Sequence, residues 1–176
     1  MIINRIWAMP NSKTFSIKPI KELIEKYLPT DGVIIDPFAR ESKYGTITND
    51  LNPEFDTTYH MDALEFMKTQ PDCSADMILY DPPYSITQAA QCYNSYGKEK
   101  LEISVGNMKY WSSMKNECAR VLKQDGLCVC FGWTSMGLGI NRGFEMVEIL
   151  LVPHGGSKND TICTLERKVD VDQREA

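Results

Sequence analysis

Histidine is scarce in this 176-residue chain: only His60 and His154 occur, far apart in sequence. None of the six cysteines (Cys73, Cys92, Cys118, Cys128, Cys130, Cys163) stands in a C-x-x-C pair. A zinc site needs clustered Cys and His ligands, so no metal is expected. A disulfide framework does not suit a chain of this size without export signals. No apolar run approaches the ~20 residues that span a bilayer. The first ten residues lack the apolar core of a signal peptide. The expected compartment is therefore the cytoplasm, with no membrane partner. Positive charge is also short: the net charge is −5. That weighs against a repressor-like nucleic-acid binder with a broad basic footprint. It weighs less against an enzyme that visits its substrate briefly. Repeats, low-complexity tracts and linkers are missing too, so residues 1–176 are expected to form a single domain.

What is present reads as alternating helices and strands. Ile17, Ile20, Leu23, Ile24, Tyr27 and Leu28 recur at helical spacing, with Ser16 as the expected cap and Pro19 in the first turn. Val33–Asp36 is a short apolar run ending in an acid, as in a strand buried on both faces. Further strands are expected over Gly45–Leu51 and near Thr57–Met61, then a helix capped by Asp62. Ala75–Tyr80 is another buried strand, and Met108–Lys123 a helix with Trp111, Met114, Cys118, Val121 and Leu122 on one stripe. Asp125-Gly126 punctuates the chain, and Leu127–Trp133 follows as a strand in which Cys128 and Cys130 share a face as small core residues. Phe144–Val152 and Thr161–Val169 are joined too closely for a parallel crossover. The fold class is thus α/β: a mostly parallel sheet with one antiparallel strand near its edge and helices on both faces.

Ligands of open parallel sheets bind at the carboxyl ends of the strands. Here four acids, Asp36, Asp50, Asp62 and Asp81, close or follow predicted strands. They suit a ligand with hydroxyls, an amine and a positive centre, and not a phosphate-rich nucleotide. S-adenosylmethionine has those groups and no phosphate. The sharpest motif is Asp81-Pro82-Pro83-Tyr84, directly after the apolar ADMILY. Prolines cannot extend the sheet ladder, so the chain leaves the strand stiffly with free carbonyls. The Asp81 carboxylate and Pro82 carbonyl can accept the two hydrogens of an –NH₂ group, and Tyr84 offers a face for a planar base.

Asp-Pro-Pro-Tyr after an apolar strand resembles the amino-methyltransferases that modify exocyclic amines of nucleic-acid bases, and among them the DNA adenine N6-methyltransferases. The resemblance implies a Rossmann-like methyltransferase fold, S-adenosyl-L-methionine as cofactor, and Asp81, Pro82, Pro83 and Tyr84 as catalytic residues. Asp36, Pro37, Phe38 and Ala39 match the family's first cofactor motif. Asp50 falls at the ribose-binding acid, and Asp62, followed by Ala63, at the acid that meets the cofactor's adenine amine. Trp7 and Phe15 lie in a stretch resembling the segment that closes over the methionine end. Arg40-Glu41-Ser42 replaces the glycines that family members carry after Ala39, and Arg40 is expected to turn outward. The motif leaves RNA adenine, cytosine N4 and a non-catalytic partner subunit as alternatives.

Nothing in the sequence resembles a separate target-recognition domain. Only Ser85–Val105, Thr134–Gly143 and His154–Asp160 can serve as recognition loops. Gln88, Asn94, Lys98, Lys100 and Arg142 are the residues expected near DNA. Each good bidentate base contact gives ~1–3 kcal/mol of discrimination, so a short recognition site of about two to four bases is expected. A homodimer pooling loops from two chains would lengthen it.

Overall fold

A computed structural model describes residues 1–95, 108–156 and 158–170, without the side chains of Ile86, Asn94 and Ser95. Seven strands form one sheet: β1 (Ile2–Arg5), β2 (Ile34–Asp36), β3 (Ile47–Thr48), β4 (Ala75–Tyr80), β5 (Leu122–Gly132), β6 (Phe144–Val152) and β7 (Thr161–Lys168). Their order is β1-β6-β7-β5-β4-β2-β3. All pairings are parallel except those of β7, which runs antiparallel to both β5 and β6. The reversed strand is the third from one edge of the sheet, between β6 and β5. The outer place belongs to β1, which the sequence pattern did not reveal.

The alternation of buried strands sorts their side chains onto two faces. Ile35, Ile78, Tyr80, Cys128 and Cys130 join one cluster with α2 (Ala63–Thr69) and α4 (Met108–Val121). Ile34, Met77, Leu79, Val129 and Phe131 join the other with α1 (Lys18–Tyr27), through Ile20, Leu23 and Ile24. Cys128 and Cys130 lie 3.5 Å apart on one face, as small core residues. Helix α3 (Ile86–Ser95) follows the Asp-Pro-Pro-Tyr motif, its Ala89 and Tyr93 packed against Leu51 and Trp111. No helix of the described residues is long and apolar enough to cross a membrane.

Several local expectations need correction. Ser16 does not cap α1: its hydroxyl bonds the Lys13 carbonyl, and Ile17 occupies the cap without a side-chain bond. The strand expected over Gly45–Leu51 shrinks to Ile47–Thr48, and Thr57–Met61 contributes only a single bridge, Tyr59 to Asn49. Asp125-Gly126 does not end an element. Asp125 takes a left-handed φ of 61°, and the pairing steps from Ala75–Leu122 to Met77–Leu127, so β5 bulges and continues. Gly126 is required there, because a Cβ would stand 2.8 Å from the Lys123 carbonyl oxygen.

Buried charge is used to hold elements together. Glu148 on β6 accepts from Asn4 of β1 and from Lys26 and Tyr27 of α1. Burial pushes its carboxyl up, but those three donors outweigh burial and hold it below the usual value. Glu166 on β7 accepts from the backbone N–H groups of Leu138 and Gly139, fixing the connection between β5 and β6.

Candidate active site

The carboxyl ends of β2, β3 and β4 open on a cleft of about 500 Å³. It shares Thr14, Phe38, Arg40 and Asp81 with an adjoining hollow of about 320 Å³. Such volumes suit a ligand of nucleoside size. Parallel strands leave this edge open because each chain departs into a loop or helix there.

Asp36 closes β2, is fully buried and, unlike Asp50 and Asp81, lines neither hollow. One oxygen accepts from the Phe38 backbone N–H at 3.1 Å; Oδ2 has no hydrogen-bond partner. Burial, with a smaller push from Asp81, raises its carboxyl well above the usual range. Pro37 and Phe38 line the cleft, and Ala39 lines the adjoining hollow. Asp50 lines the cleft and accepts from the Arg40 and Asn52 N–H groups at 3.0 and 2.8 Å. Burial raises its carboxyl as well. Each oxygen has one bond and keeps acceptor capacity.

Asn49 was not anticipated and ties this edge together. Its amide donates to the Pro37 and Met61 carbonyls, and its oxygen accepts from Met61 N–H. The strand-end loops of β2 and β3 and the approach to α2 are thereby locked to one residue.

Asp62 departs from expectation. One oxygen caps α2 by accepting from Leu64 and Glu65 N–H. The other accepts the phenol protons of Tyr93 at 2.5 Å and Tyr110 at 2.8 Å. Four donors engage the carboxylate, and its neighbours Met61 and Ala63 face the cleft in its place. The assignment of Asp62 to a cofactor amine is corrected to a structural one: cap of α2 and anchor of α3 and α4.

Arg40 is exposed, as expected, yet its side chain also borders both hollows. It holds a left-handed φ of 49°, a conformation that glycine adopts freely. The backbone at the first departure thus keeps a glycine-like path without a glycine. The side chain lies between the two hollows, donates to the Ser12 carbonyl at 2.7 Å and sits over the Phe55 ring. Phe15 lines the adjoining hollow and packs on Phe131. Trp7 does not line the cleft: it is exposed and lies against Gly155, just past the carboxyl end of β6, several strands away along the same edge. Ser12–Ser16, and not Trp7, lines the adjoining hollow.

Asp81, Pro82, Pro83 and Tyr84 all line the cleft. The Tyr84 hydroxyl donates to Asp81 Oδ1 at 2.7 Å, so this side chain is a positioner of Asp81 as well as a ring. Burial raises the Asp81 carboxyl, opposed by bonds from Tyr84 and Thr14 and by the Arg40 charge. Gln88 lines the cleft and accepts the Tyr84 N–H at 2.9 Å. The Tyr84 ring meets Trp133 edge-on, with centroids 5.9 Å apart. The sequence pattern makes Trp133 the last residue of a strand; in the structure β5 ends at Gly132 and Trp133 stands just beyond it.

Of the remaining recognition residues, Lys98, Lys100 and the Asn94 side chain lie outside the described residues. Arg142 is corrected: its guanidinium bonds Asn116, the Leu138 carbonyl and Ser112, and so staples a loop to α4. Among the described residues no group of His, Cys, Asp and Glu could hold a metal.

No family model matches the chain, and no curated protein matches it in sequence. The architecture is nevertheless that of the Rossmann-like methyltransferases. A 1,6-didemethyltoxoflavin-N1-methyltransferase from Burkholderia thailandensis, solved with its substrate and S-adenosylhomocysteine, superposes with a TM-score of 0.60 at 13% identity, over 87% of this chain and 78% of that one. A precorrin-6y C5,15-methyltransferase from Geobacter metallireducens gives 0.57 at 14% identity, over 93% and 94%. A SAM-dependent methyltransferase from Methanosarcina mazei gives 0.56 at 13% identity, over 84% and 97%.

Proposed function

We propose that this protein is an S-adenosylmethionine-dependent methyltransferase acting on the exocyclic N6 amine of adenine in DNA. One observation carries the reading: Asp81-Pro82-Pro83-Tyr84 leaves β4 directly into a cleft that Asp50 lines just beyond β3, with Asp36 buried at the end of β2, the strand between them. The donor set fits the cofactor. Asp50 keeps lone pairs for ribose hydroxyls, while Asp36, which lines neither hollow, would reach an ammonium group only through a water on its unpartnered Oδ2. Pro37, Phe38, Met61 and Ala63 supply apolar walls for an adenine ring. The cofactor's sulfonium would supply an electrophilic methyl group and leave as a neutral thioether.

The chain's own task is to make a poor nucleophile adequate. The adenine amine is weak because its lone pair is conjugated into the ring. Asp81 and the Pro82 carbonyl accept its two hydrogens, which favours a tetrahedral nitrogen with its lone pair free. As the new C–N bond forms, the nitrogen gains positive charge beside the Asp81 carboxylate, and its surplus proton leaves through that carboxylate or solvent. Tyr84 fixes Asp81 through Oδ1. Positioning and preorganised acceptors account for the acceleration, with no covalent enzyme intermediate. A DNA-modifying enzyme of this kind would work in the cytoplasm and favour a short recognition site.

RNA adenine and cytosine N4 need nearly the same acceptors. Parallel transfer of labelled methyl to duplex DNA, single-stranded DNA and bulk RNA ranks them; DNA is expected to lead, with label in N6-methyladenine. Calorimetric titration with S-adenosylhomocysteine separates the enzyme from a non-catalytic partner subunit. Absence of heat at concentrations of about 100 μM would refute the cofactor reading.

A further inference from the structure

We infer that Trp133 is the second aromatic wall of the acceptor site, forming with Tyr84 a corner in which the target base is stacked. This rests on the acceptor reading above. Strands β4 and β5 are parallel neighbours, with Tyr80 opposite Cys130. Two residues beyond that pair lie Pro82 on one chain and Gly132 on the other, and Trp133 follows at once. The indole therefore stands just past the end of β5, beside Tyr84 and at the margin of the cleft rather than in its lining. It touches Tyr84 edge-to-face, at 5.9 Å and 76°. Its position is otherwise open: Trp133 is 40% exposed, although a ring of this size is highly buried on average. Among the described residues, nothing lies within 4 Å of where a Gly132 side chain would begin.

The geometry also limits how the corner works. At 5.9 Å and nearly perpendicular, the two rings cannot hold a base between them like a sandwich. A base can lie flat on one ring and meet the edge of the other, which is a favourable aromatic arrangement. Asp81, tied to Tyr84, then faces the base edge rather than its plane. Trp133 is a binding residue for the acceptor with no part in holding the cofactor, whose proposed contacts lie on β2, β3 and α2. The ligand class is a planar heterocycle with an exocyclic amine, presented unpaired so that the amine is free.

The probe is a single-stranded oligodeoxynucleotide containing adenine, titrated into the protein loaded with S-adenosylhomocysteine. In the wild type, tryptophan fluorescence should be quenched as the oligonucleotide binds. In Trp133→Phe that quenching should be lost although Trp7 and Trp111 remain, while binding weakens only slightly. In Trp133→Ala the oligonucleotide should bind about ten- to a hundredfold more weakly, the range expected for one lost base-stacking contact. S-adenosylhomocysteine affinity should stay within about twofold in both variants, which also reports intact folding. Wild-type oligonucleotide affinity and transfer in Trp133→Ala would overturn the inference and leave the proposed function standing. So would parallel loss of cofactor and oligonucleotide binding in the more conservative Trp133→Phe. A wild type that binds cofactor but neither binds nor methylates DNA or RNA would sink both.

Discussion

Asp36 and Asp62 are both buried carboxylates at the same edge of the sheet, and they have opposite circumstances. Asp62 is surrounded: two backbone donors and two phenols engage its oxygens. Asp36 has one backbone donor and an oxygen with none. Asp81 stands between them, with Oδ1 held by Tyr84 and a raised carboxyl. The contrast separates structure from site. A carboxylate with all its partners inside the protein gains little from a ligand, whereas a buried acceptor without a partner costs stability until one arrives.

Asp81→Ala should produce the largest effect. Methyl transfer should fall by at least about a hundredfold, as when a preorganised polar group is removed from a developing charge. Cofactor affinity should change little. Near-normal activity in this variant would erase the distinction between Asp81 and the structural Asp62. The wild-type pH profile sharpens the same point. Asp81 must be ionised to accept an amine hydrogen, and burial raises its carboxyl, so activity should be lost on the acid side at a pH above the usual carboxylate value of about 3.9.

Asp62→Ala tests the opposite end of the comparison. It removes the cap of α2 and leaves two buried phenols without their acceptor. The cap accounts for about 0.5–2 kcal/mol and the phenols for a further ~1–3, so thermal unfolding should drop by about 5–15 °C. Any loss of cofactor affinity should be reversible by lowering the temperature, because it follows from a loosened cleft wall. A variant of full stability that cannot bind the cofactor would return Asp62 to a ligand role.

Asp36→Asn should behave in the reverse sense. The folded state holds the Asp36 proton to a higher pH than the unfolded chain does. Stability from this group is therefore greatest in acid and declines as pH rises from the unfolded carboxylate value, about 3.9, through the folded one. The variant removes that dependence. Its melting temperature relative to wild type should rise between pH 4 and pH 8, while cofactor affinity falls. A difference in melting temperature that does not vary with pH would show that Asp36 is not held protonated by burial.

The outcome for these acids also explains what could be read in advance. Ala75–Tyr80 and the two prolines after it announce a buried strand and a forced exit by local chemistry alone, and the structure places all four motif residues on the cleft. The helix cap at Asp62 was equally local. Its second oxygen was not: Tyr93 and Tyr110 lie 31 and 48 residues further on, and no spacing reveals that they return to it. Arg142 was misread for the same reason, since its partners Asn116 and Ser112 sit on another helix. Strand β1 went unseen because IINR lacks an alternating pattern and its register with β6 is set more than 140 residues away. Composition marks which residues are able to bind a ligand; only packing shows which of them are already engaged.

Arg40 offers the smallest and finest test. It occupies a glycine place in glycine's conformation, and the adjoining acid, Asp50, accepts its backbone N–H. Two opposing terms act there. The left-handed backbone costs about 1 kcal/mol with any Cβ present. The side chain returns a comparable amount through Ser12 and Phe55, both at a partly exposed position. Arg40→Ala keeps the strain and loses the contacts, so it should be destabilised by about 1 kcal/mol. Arg40→Gly loses the contacts and relieves the strain, so its stability should stay within about 1 kcal/mol of wild type, even after the greater freedom of glycine in the unfolded chain is counted. Denaturant titration of the pair isolates the backbone term, because neither variant retains the guanidinium. Both should bind the cofactor a few-fold more weakly, since Ser12–Ser16 loses its tether at the rim of the hollow. An Arg40→Ala variant as stable as Arg40→Gly would mean that the loop relaxes to an ordinary backbone once the side chain is gone. In that case the guanidinium, and not the Asp50 carboxylate, holds the glycine-like turn.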